Sequence, residues 1–316
     1  MSSRDNRTRG EGRAAASFMR HAQGKAGECH MARTTKQDQV RELQRTLYRA
    51  AKAAPNRRFH ALYDKVHRRD VLERAWELVR ANKGAAGVDR ATIADVEQYG
   101  ISRLIDELAA DLKEGRWRPL PARRVFIPKP GRPGELRPLS IPAVRDRVVQ
   151  AALKTVIEPI FEADFRPCSF GFRPKRSAHD ALQVLVDEAR RDRRWVVETD
   201  IADCYEAIPH ERLMAAIEER IVDRKLLKLL RAMLRAGVME QGAVSRSMMG
   251  TPQGGVASPL LANVYLNALD RAWEERHGGL GALVRYCDDI VVLCKTEWRA
   301  KRALAVLQEI LGELGL

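Results

Sequence analysis

The chain alternates between segments whose apolar residues recur at helical spacing and short apolar runs bounded by turn residues. Helical spacing over residues 37–54, 70–81 and 101–112 predicts three amphipathic helices in the first third of the chain. Beyond residue 120, β-type runs broken by Pro and Gly alternate with further helical segments. The pattern therefore predicts an α+β fold.

The second part of the chain predicts a defined order of elements. It begins with a hairpin over 123–142, which has a basic tip rich in turn residues. The elements that follow are a helix over 143–161, a loop entering a helix near residue 177, a short apolar strand at 195–201, helices at 211–220 and 224–234, a Gly-rich turn at 252–255, a helix at 258–275, two apolar strands within 282–294 and a final helix from 297.

Charge is unevenly distributed along the 316 residues, which carry a formal net charge of +14. Residues 1–60 have 14 basic and 5 acidic side chains, and residues 112–150 have 10 and 3, whereas the rest of the chain is nearly balanced. Segregated positive charge favours a polyanion such as a nucleic acid, with solubility alone as the other interpretation. Because no apolar run approaches the roughly 18–20 residues that span a bilayer, we expect a cytoplasmic protein without a membrane partner.

Cysteine and histidine usage excludes the common transition-metal sites. The five cysteines form no CxxC pair, and the seven histidines form no HxxxH or HExxH pattern. Any metal in this protein is therefore expected to be a hard ion held by oxygen ligands.

Adjacent carboxylates are the main candidate for such a site. Asp288 and Asp289 lie between two apolar strands, and Asp200 ends a third. A solvated turn is the other interpretation of such a pair. Three carboxylates on neighbouring strand ends would instead provide ligands for Mg²⁺, and two such ions can activate a hydroxyl and stabilise a leaving pyrophosphate. The spacing thus suggests a nucleotidyl-transfer site.

Four sequence blocks resemble a known family. They are, in chain order, RVFIPKPGRPGELRPLSIPAVRDRVVQ, RPCSFGFRPKRSAHDAL, TPQGGVASPLLANVYLNALD and YCDD at 286–289. Together they are similar to the reverse-transcriptase blocks of bacterial group II intron-encoded proteins (reverse transcriptase/maturases), over about residues 37–316. The resemblance implies the fingers and palm of a right-hand polymerase, with an antiparallel palm sheet packed with helices.

The same resemblance implies a domain organisation. Residues 1–35 would be a flexible basic tail, 36–115 a helical RNA-binding extension of the fingers, and 116–316 the fingers-palm domain. The thumb, maturase and endonuclease regions of the family have no counterpart in this sequence. We therefore expect either a truncated or split gene product, or a fragment that a second chain completes. Met31 is an alternative start of translation.

Family roles map onto individual positions of this sequence. The resemblance implies that Asp200, Asp288 and Asp289 are catalytic and hold two Mg²⁺ ions, for which Mn²⁺ can substitute, with the backbone carbonyl of Ile201 as a further ligand. The remaining implied roles are triphosphate binding by Lys129 and Arg137, exclusion of a ribose 2′-OH by Tyr205, support of the templating base pair by Gln253 and Gly254, and either template contact or a structural role in the palm for Arg173.

Three departures from the family pattern are visible. Cys287 replaces a small Ala, Arg90 replaces a turn glycine, and Cys204–Tyr205 replaces paired aromatic residues.

The expected function is RNA-directed DNA synthesis from dNTPs, with an intron RNA template and a DNA primer, linked to intron splicing and mobility. The alternatives are an RNA-binding splicing cofactor without polymerase activity, an inactive truncated fragment, and another reverse-transcriptase lineage such as a retron or phage-defence enzyme.

Overall fold

The computed structural model describes residues 35–128, 131, 134–245, 249–251 and 254–316, and residues 36–316 form one compact unit. The predicted tail lies outside the described residues except for Thr35. The helices are α1 Lys36–Ala53, α2 Tyr63–Val66, α3 Arg69–Ala81, α4 Ile93–Tyr99, α5 Ile101–Lys113, α6 Val144–Glu162, α7 Ala178–Arg190, α8 Cys204–Ala207, α9 His210–Glu218, α10 Arg224–Leu234, α11 Ser258–Ala272 and α12 Glu297–Leu314. A π-helical turn, Trp273–His277, continues α11.

The strands form two sheets. Their bounds are β1 Ala122–Pro128, β2 Leu136–Ile141, β3 Trp195–Asp200, β4 Val238–Glu240, β5 Ala243–Ser245, β6 Gly281–Tyr286 and β7 Asp289–Cys294. One sheet has the order β2-β1-β4-β5, in which β1 and β4 are parallel and the other pairs antiparallel. The other has the order β3-β7-β6 and is antiparallel throughout. The predicted α+β class, with an antiparallel sheet packed with helices, is confirmed.

Local sequence explains where several helices begin. Ser177 caps α7: its hydroxyl accepts from the Asp180 N–H, and the Asp180 carboxylate accepts from the Ser177 N–H. Thr92 and Asp95 form the same capping box at α4. Because such a box satisfies two otherwise unpaired N–H groups at a helix start, it specifies the first residue of the helix.

Helix α6 lies at the centre of the larger core. It packs against α1 and α3, and residues from Val144 to Phe161 are buried on most of its faces. A second core lies under the three-stranded sheet, where Leu266 and Leu269 of α11 and Val306 of α12 meet Ile290 and Val292 of β7. Helices α11 and α12 therefore support the sheet that carries the candidate carboxylates. Within the part of the chain that the structure describes, no helix is both long and apolar enough to cross a bilayer.

Candidate active site

The strand register brings the predicted carboxylates to one edge of the three-stranded sheet. Asp200, the last residue of β3, lies directly opposite Asp289, the first residue of β7. Asp289 also pairs with Tyr286 of β6, so that Cys287 and Asp288 form a two-residue turn between β6 and β7. The antiparallel pairing thus gathers residues that are almost ninety positions apart in sequence.

The turn itself has an unusual backbone conformation. Cys287 has a φ of +60°, a region that non-glycine residues rarely adopt. Gly171 packs directly against it, because a Cβ added at Gly171 would lie 2.4 Å from the Cys287 Sγ and 2.6 Å from the Cys287 N. A glycine is therefore required beside this turn.

Mutual repulsion and burial act on these carboxylates. Burial raises the pKa of Asp288 above its ordinary value, and the negative charges of Asp200 and Asp289 raise it further. Burial likewise raises the pKa of Asp289, with smaller contributions from the charges of Asp200 and Glu198. A divalent cation placed among these oxygens would relieve the repulsion.

The chemistry of the donors fits a hard divalent cation. Carboxylate oxygens are the ligands that Mg²⁺ prefers. The Ile201 carbonyl accepts a hydrogen bond from the Cys204 N–H at 3.3 Å, and because a carbonyl oxygen has two lone pairs, one remains for a cation. Among the described residues, no three His, Cys, Asp or Glu side chains converge closely enough to hold a metal ion. The assignment of a divalent cation to this site therefore rests on the strand register, on the oxygen donors and on the repulsion between the carboxylates. It does not rest on a preformed set of converging ligands.

Tyr205 follows Cys204 in α8, and its side chain is partly buried near the turn. Burial raises the pKa of the Tyr205 hydroxyl, and the neighbouring Cys287 and Asp288 raise it further. Burial also raises the pKa of the Cys287 thiol to about 12. Both groups therefore stay protonated near neutral pH.

Two further predicted residues, Arg137 and Gly254, lie on or near the four-stranded sheet. Arg137 is exposed on β2, opposite Ile127 of β1. Gly254 has a φ of +105°, and a Cβ there would lie 2.7 Å from the Ser140 carbonyl oxygen of β2, so its turn packs closely on that strand. The predicted residues Lys129 and Gln253 lie outside the described residues.

Arg173 has a structural environment. Its Nε and Nη2 atoms donate to the Glu162 carboxylate at 3.0 and 2.7 Å, and its Nη1 donates to the carbonyls of Arg166 and Ser169. Its side chain is 3% exposed. Of its two predicted roles, these contacts favour the structural one.

A family comparison agrees with this geometry. The family model described as "Reverse transcriptase (RNA-dependent DNA polymerase)" matches residues 127–316, which is more than half of the chain and contains the three carboxylates and the whole three-stranded sheet. The chain belongs to the reverse transcriptase family. Members of this family use divalent metal ions, in agreement with the oxygen-rich site.

Curated relatives place this reverse transcriptase with the group II intron type. The protein YkfC of Escherichia coli (strain K12) is 38% identical over 244 residues, covering 75% of this chain and 63% of YkfC. The group II intron-encoded protein LtrA of Lactococcus lactis subsp. cremoris is 37% identical over 213 residues, covering 67% of this chain and 35% of LtrA. The chain therefore spans less than two thirds of the length of either relative. Among solved structures, a chain of a partial Cas6-RT-Cas1–Cas2 complex is similar with a TM-score of 0.48 and 21% identity, covering 80% of this chain and 41% of that chain.

A buried group of four polar residues lies behind the Cys287–Asp288 turn and was not predicted from the sequence. It consists of Ser169, Asn263, Asp270 and Arg285 and is here called the polar cluster. Arg285 and Asp270 form an ion pair at 2.6 Å with both side chains fully buried. Two signals in the sequence could have indicated it. Arg285 interrupts the apolar run LVRYC, and Asn263 and Asp270 are seven residues apart on one face of an otherwise apolar helix.

A large cavity lies away from the carboxylates. It has a volume of about 1350 Å³, and its lining includes Arg166 and Arg220 but none of the three aspartates. Arg220 pairs with Asp164, and Arg166 pairs with Glu274. Both cations are therefore already paired within the chain.

Proposed function

We propose that the carboxylate edge of the three-stranded sheet is the catalytic site of an RNA-directed DNA polymerase. In this reaction a primer 3′-OH attacks the α-phosphate of a dNTP that is paired with an RNA template. The observation that carries the proposal is the register, which sets Asp200 opposite Asp289 with Asp288 in the adjoining turn.

Divalent cations complete the proposed site. Two Mg²⁺ ions, or Mn²⁺ in their place, would lower the pKa of the primer hydroxyl and stabilise the pyrophosphate as it leaves. The chain's own part is to hold Asp200, Asp288 and Asp289 together against their repulsion and to offer the Ile201 carbonyl as a further oxygen.

Residues on the four-stranded sheet would bind the nucleotide. Arg137 is exposed on β2 and would contact the triphosphate together with Lys129, because cations form strong charge-assisted bonds with phosphate oxygens. Gly254, with Gln253, would let the backbone approach the templating base pair. Tyr205, which lies near Cys287, would exclude a ribose 2′-OH.

Primer extension tests this function. With an RNA template, a DNA primer, dNTPs and Mg²⁺, we expect extension by the wild-type chain and a loss on the order of a thousandfold in Asp289→Asn, because a metal ligand is removed. The matched control is Asp192→Asn, which changes an exposed aspartate paired only with Arg194. Undiminished extension by Asp289→Asn would refute the metal-site assignment.

A second candidate function is RNA binding in intron splicing. One observation favours it: Arg41, Arg45 and Arg49 are exposed along one face of α1, and the ion pairs of Arg41 and Arg45 are long, at 3.9 and 3.8 Å. Such a face suits a phosphate backbone. The proposed partner is accordingly an intron RNA in the cytoplasm. RNA binding without extension by the wild-type chain would support this function alone.

A further inference from the structure

A fully buried arginine lies directly behind the carboxylate turn. Arg285 is 0% exposed, and each of its five N–H groups has an acceptor. Nε and Nη2 donate to the two oxygens of Asp270 at 2.8 and 2.6 Å, and Nη2 also donates to the Ser169 hydroxyl at 2.9 Å. Nη1 donates to the Asn263 side-chain oxygen at 2.9 Å and to the Cys287 backbone carbonyl at 2.8 Å.

The contact with Cys287 distinguishes this ion pair from one that serves stability alone. A buried arginine–aspartate pair loses much solvation, and two apolar residues of similar size often stabilise a core equally well. An apolar pair could not bond to the Cys287 carbonyl. That carbonyl belongs to the peptide between Cys287 and Asp288, so the guanidinium fixes the orientation of the peptide from which the Asp288 side chain begins.

The turn is also held from its other side. Segment 168–171 runs beside β6: the Arg285 N–H donates to the Cys168 carbonyl at 2.8 Å, and the Phe170 N–H donates to the Arg285 carbonyl at 2.9 Å. The Asn263 amide donates to the Gly171 carbonyl at 2.8 Å, and Gly171 packs on Cys287. The polar cluster thus connects the turn, β6, α11 and segment 168–171.

We propose that Arg285 is a positioning residue that holds the Cys287–Asp288 peptide, and with it the Asp288 carboxylate, in place before any metal binds. Without such support, strain at the left-handed Cys287 and repulsion among three carboxylates would spread the turn. Groups that orient metal ligands in this way commonly affect metal affinity or activity by about 10–100-fold. The claim that the turn is important for catalysis rests on the proposed function. The claim that the turn is ordered in the metal-free chain does not.

Hydrogen exchange on the metal-free wild-type chain tests the first part. We compare the amides of 286–290 with those of the two-residue turn Gln241–Gly242, which also has positive φ angles but lies in an exposed hairpin. In the presence of EDTA, we expect the carboxylate turn to exchange at least about tenfold more slowly than the reference turn. Equal rates, with protection of the carboxylate turn only after Mg²⁺ is added, would overturn the proposal.

Variants test the role of the guanidinium. Arg285→Met combined with Asp270→Leu removes both charges, so that neither remains buried alone. We expect this double variant to fold and to bind primer–template normally, while the turn exchanges about tenfold faster and kcat falls on the order of 100-fold. If it does not fold, Arg285→Lys replaces it, because a lysine can face Asp270 but cannot also reach Ser169, Asn263 and Cys287.

The control is Arg220→Lys, which changes another buried arginine that donates to a backbone carbonyl, that of Ala51, far from the turn. It should leave both the exchange of the turn and kcat unchanged. If a folded Arg285 variant has the same amide exchange rates in the turn and the same kcat as the wild-type chain, the positioning role is refuted. A wild-type chain that extends no primer would refute the proposed function, and the metal-free exchange rates would still decide the role of Arg285.

Discussion

Asp200, the last residue of β3, and Asp289, the first residue of β7, lie directly opposite each other on two antiparallel strands. Like charges directly opposite each other destabilise a strand pair. The edge of the sheet that carries them is therefore less stable than the apolar strands behind it, unless a ligand neutralises the charge.

Neutralising Asp200 should lower the pKa of both neighbouring carboxyls. Burial is the largest cause of the raised pKa values of Asp288 and Asp289, and the Asp200 charge raises both further. In metal-free Asp200→Asn, NMR titration should show both pKa values shifted down. Mg²⁺ should raise the melting temperature of the wild-type chain but raise that of this variant less, because a ligand that binds only the folded state stabilises it. An equal Mg²⁺ shift in both proteins would place the ion elsewhere.

Asp146 should make stability fall as the pH rises toward neutrality. It is 1% exposed, its Oδ2 accepts from the Leu120 N–H at 2.9 Å, and burial raises its pKa to about 7. The folded state then binds more protons than the unfolded state between about pH 4 and 7, so this group's contribution declines through that window. Urea unfolding should show Asp146→Asn close to wild type at pH 4 and more stable at pH 8, by at most about 4 kcal/mol.

Asp95 should have the opposite effect on how folding stability changes with pH. Its exposed carboxylate accepts hydrogen bonds from Thr92, which lower its pKa. It therefore contributes stability above its ordinary pKa and loses that contribution as the pH falls. Asp95→Asn should be less stable than wild type at neutral pH, and parallel pH profiles for Asp95→Asn and Asp146→Asn would contradict both assignments.

Gly254→Ala should destabilise the protein by about 1–3 kcal/mol, because its φ of +105° is unfavourable for alanine and the new Cβ would meet the Ser140 carbonyl. Gly279→Ala is the control, since a Cβ at that position meets nothing within 4 Å. Thermal unfolding measures both. Similar melting temperatures for the two variants would show that this turn does not pack on β2.

RNA binding should depend on salt through the exposed face of α1. Replacing Arg41, Arg45 and Arg49 with Gln should reduce the slope of log K against log[salt] by about 2 units, since each phosphate contact on single-stranded RNA contributes about 0.7. The same triple change at Arg190, Arg191 and Arg194 matches the charge loss at another exposed site. Equal reductions would indicate a general charge effect rather than a binding face.

The sequence predicted the elements that carry strong periodicity or clear end signals. Apolar runs on both sides of Asp288 and Asp289 indicated the β6–β7 hairpin, and Ser177 indicated the start of α7. Strands β4 and β5 were missed, because three residues of mixed polarity have no periodicity to detect. The short helices α2, α4 and α8 were also missed, although the Thr92–Asp95 capping box was visible in the sequence.

The acidic residues of the candidate site could be predicted from the sequence, but the contacts that hold them in place could not. Acidic residues at the ends of apolar strands identified Asp200, Asp288 and Asp289. The partner of a buried arginine depends on packing between distant elements, so nothing in the local sequence could assign Asp270 to Arg285. The roles of all the predicted site residues stay predictions: Asp200, Asp288 and Asp289 as catalytic metal ligands, Ile201 as a further ligand, and Lys129, Arg137, Tyr205, Gln253 and Gly254 as binding residues.

The parallel pairing of β1 with β4 imposes an order of events on the newly made chain. Ala122 of β1 pairs with Val238 of β4, whereas β1 and β2 are joined by a short connection. On the ribosome, the β1–β2 hairpin can form early, but its second edge has no partner until α6 to α10 have emerged. During that interval the hairpin exposes an unpaired strand edge, to which other nascent chains could bind before β4 is made.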